Sequence, residues 1–88
     1  MILIDHKKTD INNLAGLERD IVVLNWEDRR KSRQRLRTTK GIEIAVALPT
    51  GTILYNGDIL YMNNNSYIIV EAAEEDVIVI YPDDMTKG

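Results

Sequence analysis

The sequence predicts an all-β fold: a small two-sheet sandwich or barrel of about six short strands, with one short helical turn at most. Three observations carry that expectation. Short runs rich in β-branched and other apolar residues recur along the chain. Turn formers separate them, namely Gly41, Pro49 with Gly51, Asn56-Gly57-Asp58, the asparagine-rich residues 63–66, and Pro82. In residues 32–38 and 42–48, side-chain character alternates with the period of two that a pleated strand imposes.

The elements follow in order. Residues 2–4 form the first strand candidate. Residues 8–17, polar and carrying Asn12, Asn13 and Gly16, read as a connection with room for a helical turn. Residues 20–24 read as the second strand, and residues 26–30 have the charge density of a turn or short helix. In the next run Ser32, Gln34, Leu36 and Thr38 share one face, and Arg33, Arg35 and Arg37 the other. In its successor Ile42, Ile44, Val46 and Leu48 share a face, opposite Glu43, Ala45 and Ala47. A two-residue loop at Lys40-Gly41 would mix these faces. A three-residue loop, Thr39-Lys40-Gly41, pairs Leu36 with Ile44 and Arg37 with Glu43, and it puts Gly41 at the left-handed position such hairpins require. A slip of one residue would turn the apolar set outward.

Pro49 lacks a ladder donor and Gly51 supplies turn freedom, so the strand ends there. After the turn at residues 56–58, residues 59–62 and 67–70 form a hairpin over residues 63–66. Their apolar residues fall on both faces, which predicts burial on both. Tyr61 and Tyr67 become cross-strand neighbours if the loop spans only residues 63–65. Residues 73–76 are a polar break, and residues 77–81 are the last strand candidate.

A chain of 88 residues suits one domain. At that size it buries only about 60–65% of its unfolded surface, so the core is small. The absence of cysteine excludes disulfides, thiolate metal sites and thiol catalysis, and fits a reducing compartment. No apolar run approaches the roughly 20 residues that span a bilayer, and residues 1–4 are too short for a signal-peptide core. The expected location is cytoplasmic. Charge is uneven. Residues 29–37 carry Arg29, Arg30, Lys31, Arg33, Arg35 and Arg37 without an acid, and residues 71–84 carry Glu71, Glu74, Glu75, Asp76, Asp83 and Asp84 without a base. Such segments either steer a charged partner or form solvated surfaces that attract each other across the fold.

No catalytic set emerges. Ser32 or Ser66 with His6 lacks supporting context, and Glu74, Glu75 and Asp76 read as a solvated turn with ordinary acidities. His6 is the single histidine. Asp5 beside it supplies at most a second ligand, where nickel or zinc needs three or four, so no metal site is expected. Arg33, Arg35 and Arg37 are the candidate binding residues. Spaced two apart on a strand, they point one way at intervals of roughly 7 Å. They can grip an acidic partner by paired hydrogen bonds, suit phosphates, or guard a sheet edge against aggregation. Trp26 reads as the largest piece of the small core or as a binding anchor, and Tyr55, Tyr61 and Tyr67 as core or half-core residues.

One further pattern is an ordered set of pieces: Trp26 and the basic segment with Lys31-Ser32-Arg33, then Gly41, then Leu48-Pro49-Thr50-Gly51, then Leu54, then Asn56-Gly57-Asp58-Ile59-Leu60. In that order and spacing the chain resembles the N-terminal domain of urease accessory protein E, the nickel metallochaperone family of urease assembly. The resemblance covers about residues 20–82 and is strongest over 26–60. It implies two small packed sheets, like the peptide-binding domain of a co-chaperone, and contacts with urease maturation proteins or the urease apoprotein. It implies that nickel is held by a C-terminal domain absent from these 88 residues, which are then an excised domain or a stand-alone relative. The principal dimer contact of the family lies in that second domain too, so a monomer or weak dimer is expected. Thr50 departs from the pattern, since family members often carry a basic residue there. Competing readings are a nucleic-acid-binding barrel using residues 29–37 and a purely structural fragment. The former lacks aromatics within the basic strand.

Overall fold

The computed structural model describes residues 1–9 and 13–73. The expected strand at residues 77–81, the polar break at 74–76 and most of the acidic segment lie outside the described residues. The described elements are β1 (Ile2–Ile4), β2 (Glu18–Leu24), α1 (Trp26–Arg29), β3 (Arg33–Arg37), β4 (Glu43–Ala47), β5 (Ile59–Met62) and β6 (Ser66–Ala72). They make two three-stranded sheets, ordered β1-β4-β3 and β2-β6-β5. The all-β, two-sheet expectation holds, and α1 is the one short helical turn among the described residues. Asn25 starts that turn: its side chain accepts from the Asp28 N–H at 2.8 Å.

Each sheet contains one hairpin and one parallel pairing. In the first sheet, β3 and β4 pair antiparallel with Leu36 opposite Ile44 and Arg37 opposite Glu43, as the three-residue loop requires. The loop closes through the Gly41 N–H donating to the Thr38 carbonyl at 2.9 Å, with Gly41 at φ 91°. In the second sheet, β5 and β6 pair antiparallel with Met62 opposite Tyr67, and a bulge lies between Ile59 and Tyr61. Tyr61 therefore faces Ile68 rather than Tyr67. The four-residue form of the loop is the one adopted, because the Asn63 side-chain oxygen accepts from the N–H groups of Asn65 and Ser66 at 2.7 and 2.8 Å and folds the turn tightly.

The parallel pairs, β1 with β4 and β2 with β6, bring distant segments together. The β2–β6 register runs from Glu18 opposite Ser66 to Leu24 opposite Ala72. A parallel neighbour arrives by a crossover and leaves no tight-turn signature, so the sequence did not announce it.

The core lies between the sheets. Ile4, Ile44 and Val46 from one sheet meet Val22, Leu24, Leu60, Ile68 and Val70 from the other, with Leu48 and Leu54 supplied by the connection between β4 and β5. Ile59 and Tyr67 are also buried but sit outside this cluster, alternating with Leu60 and Ile68. Burial on both faces of the second hairpin is thus met at its centre. Ile42 and Tyr55, both expected to face inward, do not. Ile42 is 39% exposed because it precedes β4 and pairs with Thr38 at the loop. Tyr55 is 55% exposed, since it opens the turn at residues 55–58, where its N–H donates to the Asp58 carboxylate at 2.8 Å.

Candidate functional site: a basic edge strand

The site is built from alternation and strand order. Leu36 and Gln34 are half-buried, and Arg33, Arg35 and Arg37 are exposed, as the period of two dictates. Among the described strands, the order β1-β4-β3 leaves β3 at the edge of its sheet. On the outward face, Arg33 stands beside Ala47, Arg35 beside Ala45 and Arg37 beside Glu43. Ala45 in turn pairs with Leu3 of β1, which is 68% exposed. Small alanines floor this face, so the arginine stems have room to lie flat while their heads reach outward.

Arg37 is engaged: its guanidinium donates to the Glu43 carboxylate at 2.8 Å, with 67% of the Arg37 side chain exposed. A cross-strand pair this open is worth at most about 1 kcal/mol. Arg33 and Arg35 form no ion pair among the described residues. A shallow depression lined by Met1, Arg35, Leu36, Arg37, Glu43 and Ile44 lies at the loop end of the strip. Chemically, the strip can bind carboxylates or phosphates. It holds no nucleophile and no general base.

Trp26 is not core. It is 44% exposed at the start of α1, and the guanidinium groups of Arg29 and Arg30 lie 5.2 and 5.7 Å from its ring. A four-residue helix cannot turn so large a ring into a core already filled by branched side chains; the ring covers basic neighbours instead. His6 is exposed and its Nδ1 lies 2.6 Å from the Asp5 carboxylate. No group of three or more His, Cys, Asp or Glu residues is placed to hold a metal ion among the described residues.

Two polar residues that the sequence reading passed over prove structural. Asp20, 2% exposed, sits on β2 in phase with Val22 and Leu24. Its Oδ1 accepts from the Ile21 N–H at 2.9 Å, the Thr39 hydroxyl at 3.1 Å and the Lys40 N–H at 3.2 Å. Its Oδ2 is buried and has no hydrogen-bond partner among the described residues. Burial pushes this carboxyl up, but the Thr38 hydroxyl, the Ile21 and Lys40 amides and the Thr39 hydroxyl together hold it below the ordinary aspartate value. The Thr39 N–H also donates to the Ile21 carbonyl at 2.8 Å, so β2 of one sheet grips the β3–β4 loop of the other. Lys7 is the second such residue. Its ammonium contacts the Asp58 carboxylate and the Ile53 carbonyl, each at 2.9 Å, and lies 5.3 Å from the Tyr55 ring.

No helix among the described residues is long and apolar enough to cross a membrane. Comparison with known proteins points one way. Residues 3–73 match the family described as UreE urease accessory protein, N-terminal domain. The chain is 42% identical over 67 residues to the urease accessory protein UreE of Synechococcus sp. (strain JA-3-3Ab), covering 76% of this chain and 45% of that one. It is 43% identical over 61 residues to UreE of Deinococcus radiodurans, covering 69% and 39%. It is 38% identical over 64 residues to UreE of Teredinibacter turnerae, covering 73% and 42%. The chain spans less than half the length of these relatives.

Proposed function

The chain belongs to the UreE urease accessory protein family, as an N-terminal domain, and on that footing we propose that it is a protein-binding module of urease maturation that docks an acidic partner surface through Arg33, Arg35 and Arg37. It is a member of an accessory-protein family, not an enzyme family. The observation that carries the docking reading is the strip itself: three exposed guanidinium groups on an edge strand, two of them without an ion pair among the described residues. The partner belongs among the urease maturation proteins or the urease apoprotein, in the cytoplasm. The reading assigns nickel to no residue of this chain, because its single histidine is exposed and bonded to Asp5.

The test is the triple substitution Arg33→Glu, Arg35→Glu, Arg37→Glu, with partner affinity and melting temperature measured on the same protein. Affinity for the maturation partner should be lost, and binding by the unsubstituted chain should weaken as salt rises. Folding should survive, since exposed charges contribute less than about 1 kcal/mol each. Unchanged affinity would reassign the strip to protection of the sheet edge.

A further inference from the structure

The hydrogen bonds at the two ends of the β3–β4 hairpin fix which backbone groups of β3 face its partner. The Thr38 N–H donates to the Ile42 carbonyl at 2.9 Å, and the Leu48 N–H donates to the Ser32 carbonyl at 2.7 Å. Residues of an antiparallel pair alternate between bonded and non-bonded positions. With Thr38 and Ser32 both at bonded positions, Gln34 and Leu36 are bonded to β4 as well. Arg33, Arg35 and Arg37 then aim their N–H and C=O groups away from β4, at the open edge. No backbone or side-chain bond engages these groups among the described residues. The same three residues thus present the candidate binding side chains and a run of unused ladder donors and acceptors.

We propose that this edge takes up an extended acidic segment of a partner protein as an added antiparallel strand, with carboxylates at every second residue opposite Arg33, Arg35 and Arg37. The proposal rests on the docking reading above and specifies its mode. Residues that exchange both ladder bonds lie directly opposite, about 5.5 Å apart at Cα, with side chains on one face. A carboxylate there meets a guanidinium. The residues between them fall on the other face, beside half-buried Gln34 and Leu36, and suit small apolar side chains. Charge selects the occupant. A second copy of the chain added antiparallel about Arg35 would set Arg35 against Arg35 and Arg33 against Arg37, like charges directly opposed. A DNA backbone offers phosphate acceptors for the amides but no donors for the three carbonyls, an RNA backbone offers only its 2′-hydroxyls, and β3 carries no aromatic ring on which a base could stack.

The probe is an end-blocked peptide, Glu-Val-Glu-Val-Glu, titrated into the 88-residue chain and followed by amide chemical shifts and hydrogen exchange. It should bind, and the amides of Arg33, Arg35 and Arg37 should become protected. N-methylation of its three Glu amides should weaken binding about tenfold or more, because those N–H groups complete the ladder. N-methylation of its two Val amides, which face solvent, should leave binding unchanged. On the protein side, Arg35→Pro deletes an edge-facing donor without touching the β4 ladder, so it should bind more weakly than Arg35→Ala. Failure of the parent peptide to bind, or equal binding by both N-methylated forms, would overturn strand addition. If the methylated forms bind equally while the triple glutamate variant abolishes partner binding, strand addition falls and electrostatic docking stands. If the triple variant keeps its partner, docking itself falls. Tighter binding of single-stranded oligothymidine than of the peptide, or self-association of the unsubstituted chain through β3, would also overturn the proposal.

Discussion

Asp20 shows how one residue can hold two sheets in relation. Its carboxylate is buried and bonded to the loop that sets the β3–β4 register. Replacing it with alanine should cost about 1–3 kcal/mol, because the Lys40 amide and the Thr39 hydroxyl lose their buried acceptor. Urea unfolding measures that cost. The sign of the pH dependence follows from the lowered pKa. Ionised Asp20 favours the fold, so its contribution is complete above the ordinary aspartate value and is lost as pH falls through the lower folded value. Unfolding curves of the unsubstituted chain and Asp20→Asn should therefore converge at acid pH and separate towards neutrality. Curves that stay parallel through that range would contradict it. The sequence held a sign of this role that went unread: Asp20 is in phase with Val22 and Leu24, so an acid on the core face needed a partner. Tyr55 and Trp26 show the reverse error. Size suggested burial, but both sit where a turn or a four-residue helix fixes their direction outward.

At the level of elements, the β3–β4 hairpin was legible because two alternating faces and one glycine overdetermine it. Only one loop length satisfies both faces. Ile44 is fully buried, and Ile44→Ala should cost roughly 2–4 kcal/mol, a large share of the stability of so small a domain. Gly41→Ala tests the turn separately. No atom lies within 4 Å of where its Cβ would stand, so the cost is purely conformational, about 1–2 kcal/mol for the left-handed backbone. A neutral result by thermal unfolding would mean that the loop relaxes to another geometry. The parallel pairs were illegible for a physical reason. The alignment of β2 with β6 is set by which buried faces meet in the assembled core, and neither strand carries a local mark of it. The candidate site divides the same way. Which arginines share a face was readable from spacing, whereas the edge position of β3 and the outward aim of its backbone required the assembled sheet.

At the level of the whole molecule, charge along an open edge decides which chains associate. The 88-residue chain should be monomeric at low micromolar concentration, because pairing β3 with β3 opposes arginine to arginine. The triple glutamate variant should be monomeric as well, now with carboxylate opposed to carboxylate. An equimolar mixture differs. Antiparallel pairing about residue 35 sets each arginine of one chain against a glutamate of the other and completes the unused ladder on both edges. Heterodimers should then form in the mixture alone, and rising salt should dissolve them, since the pairs are exposed and screened. Sedimentation of the two proteins apart and together makes the comparison. A mixture that sediments as two monomers at concentrations up to about 1 mM, the range of weak contacts, would show that the edge does not accept a strand even when charge favours it. Association of the unsubstituted chain by itself would contradict the monomer expectation, and persistence of that association after substitution of the exposed Leu3 on β1, at the opposite edge of the same sheet, would put the contact on β3 and overturn strand addition.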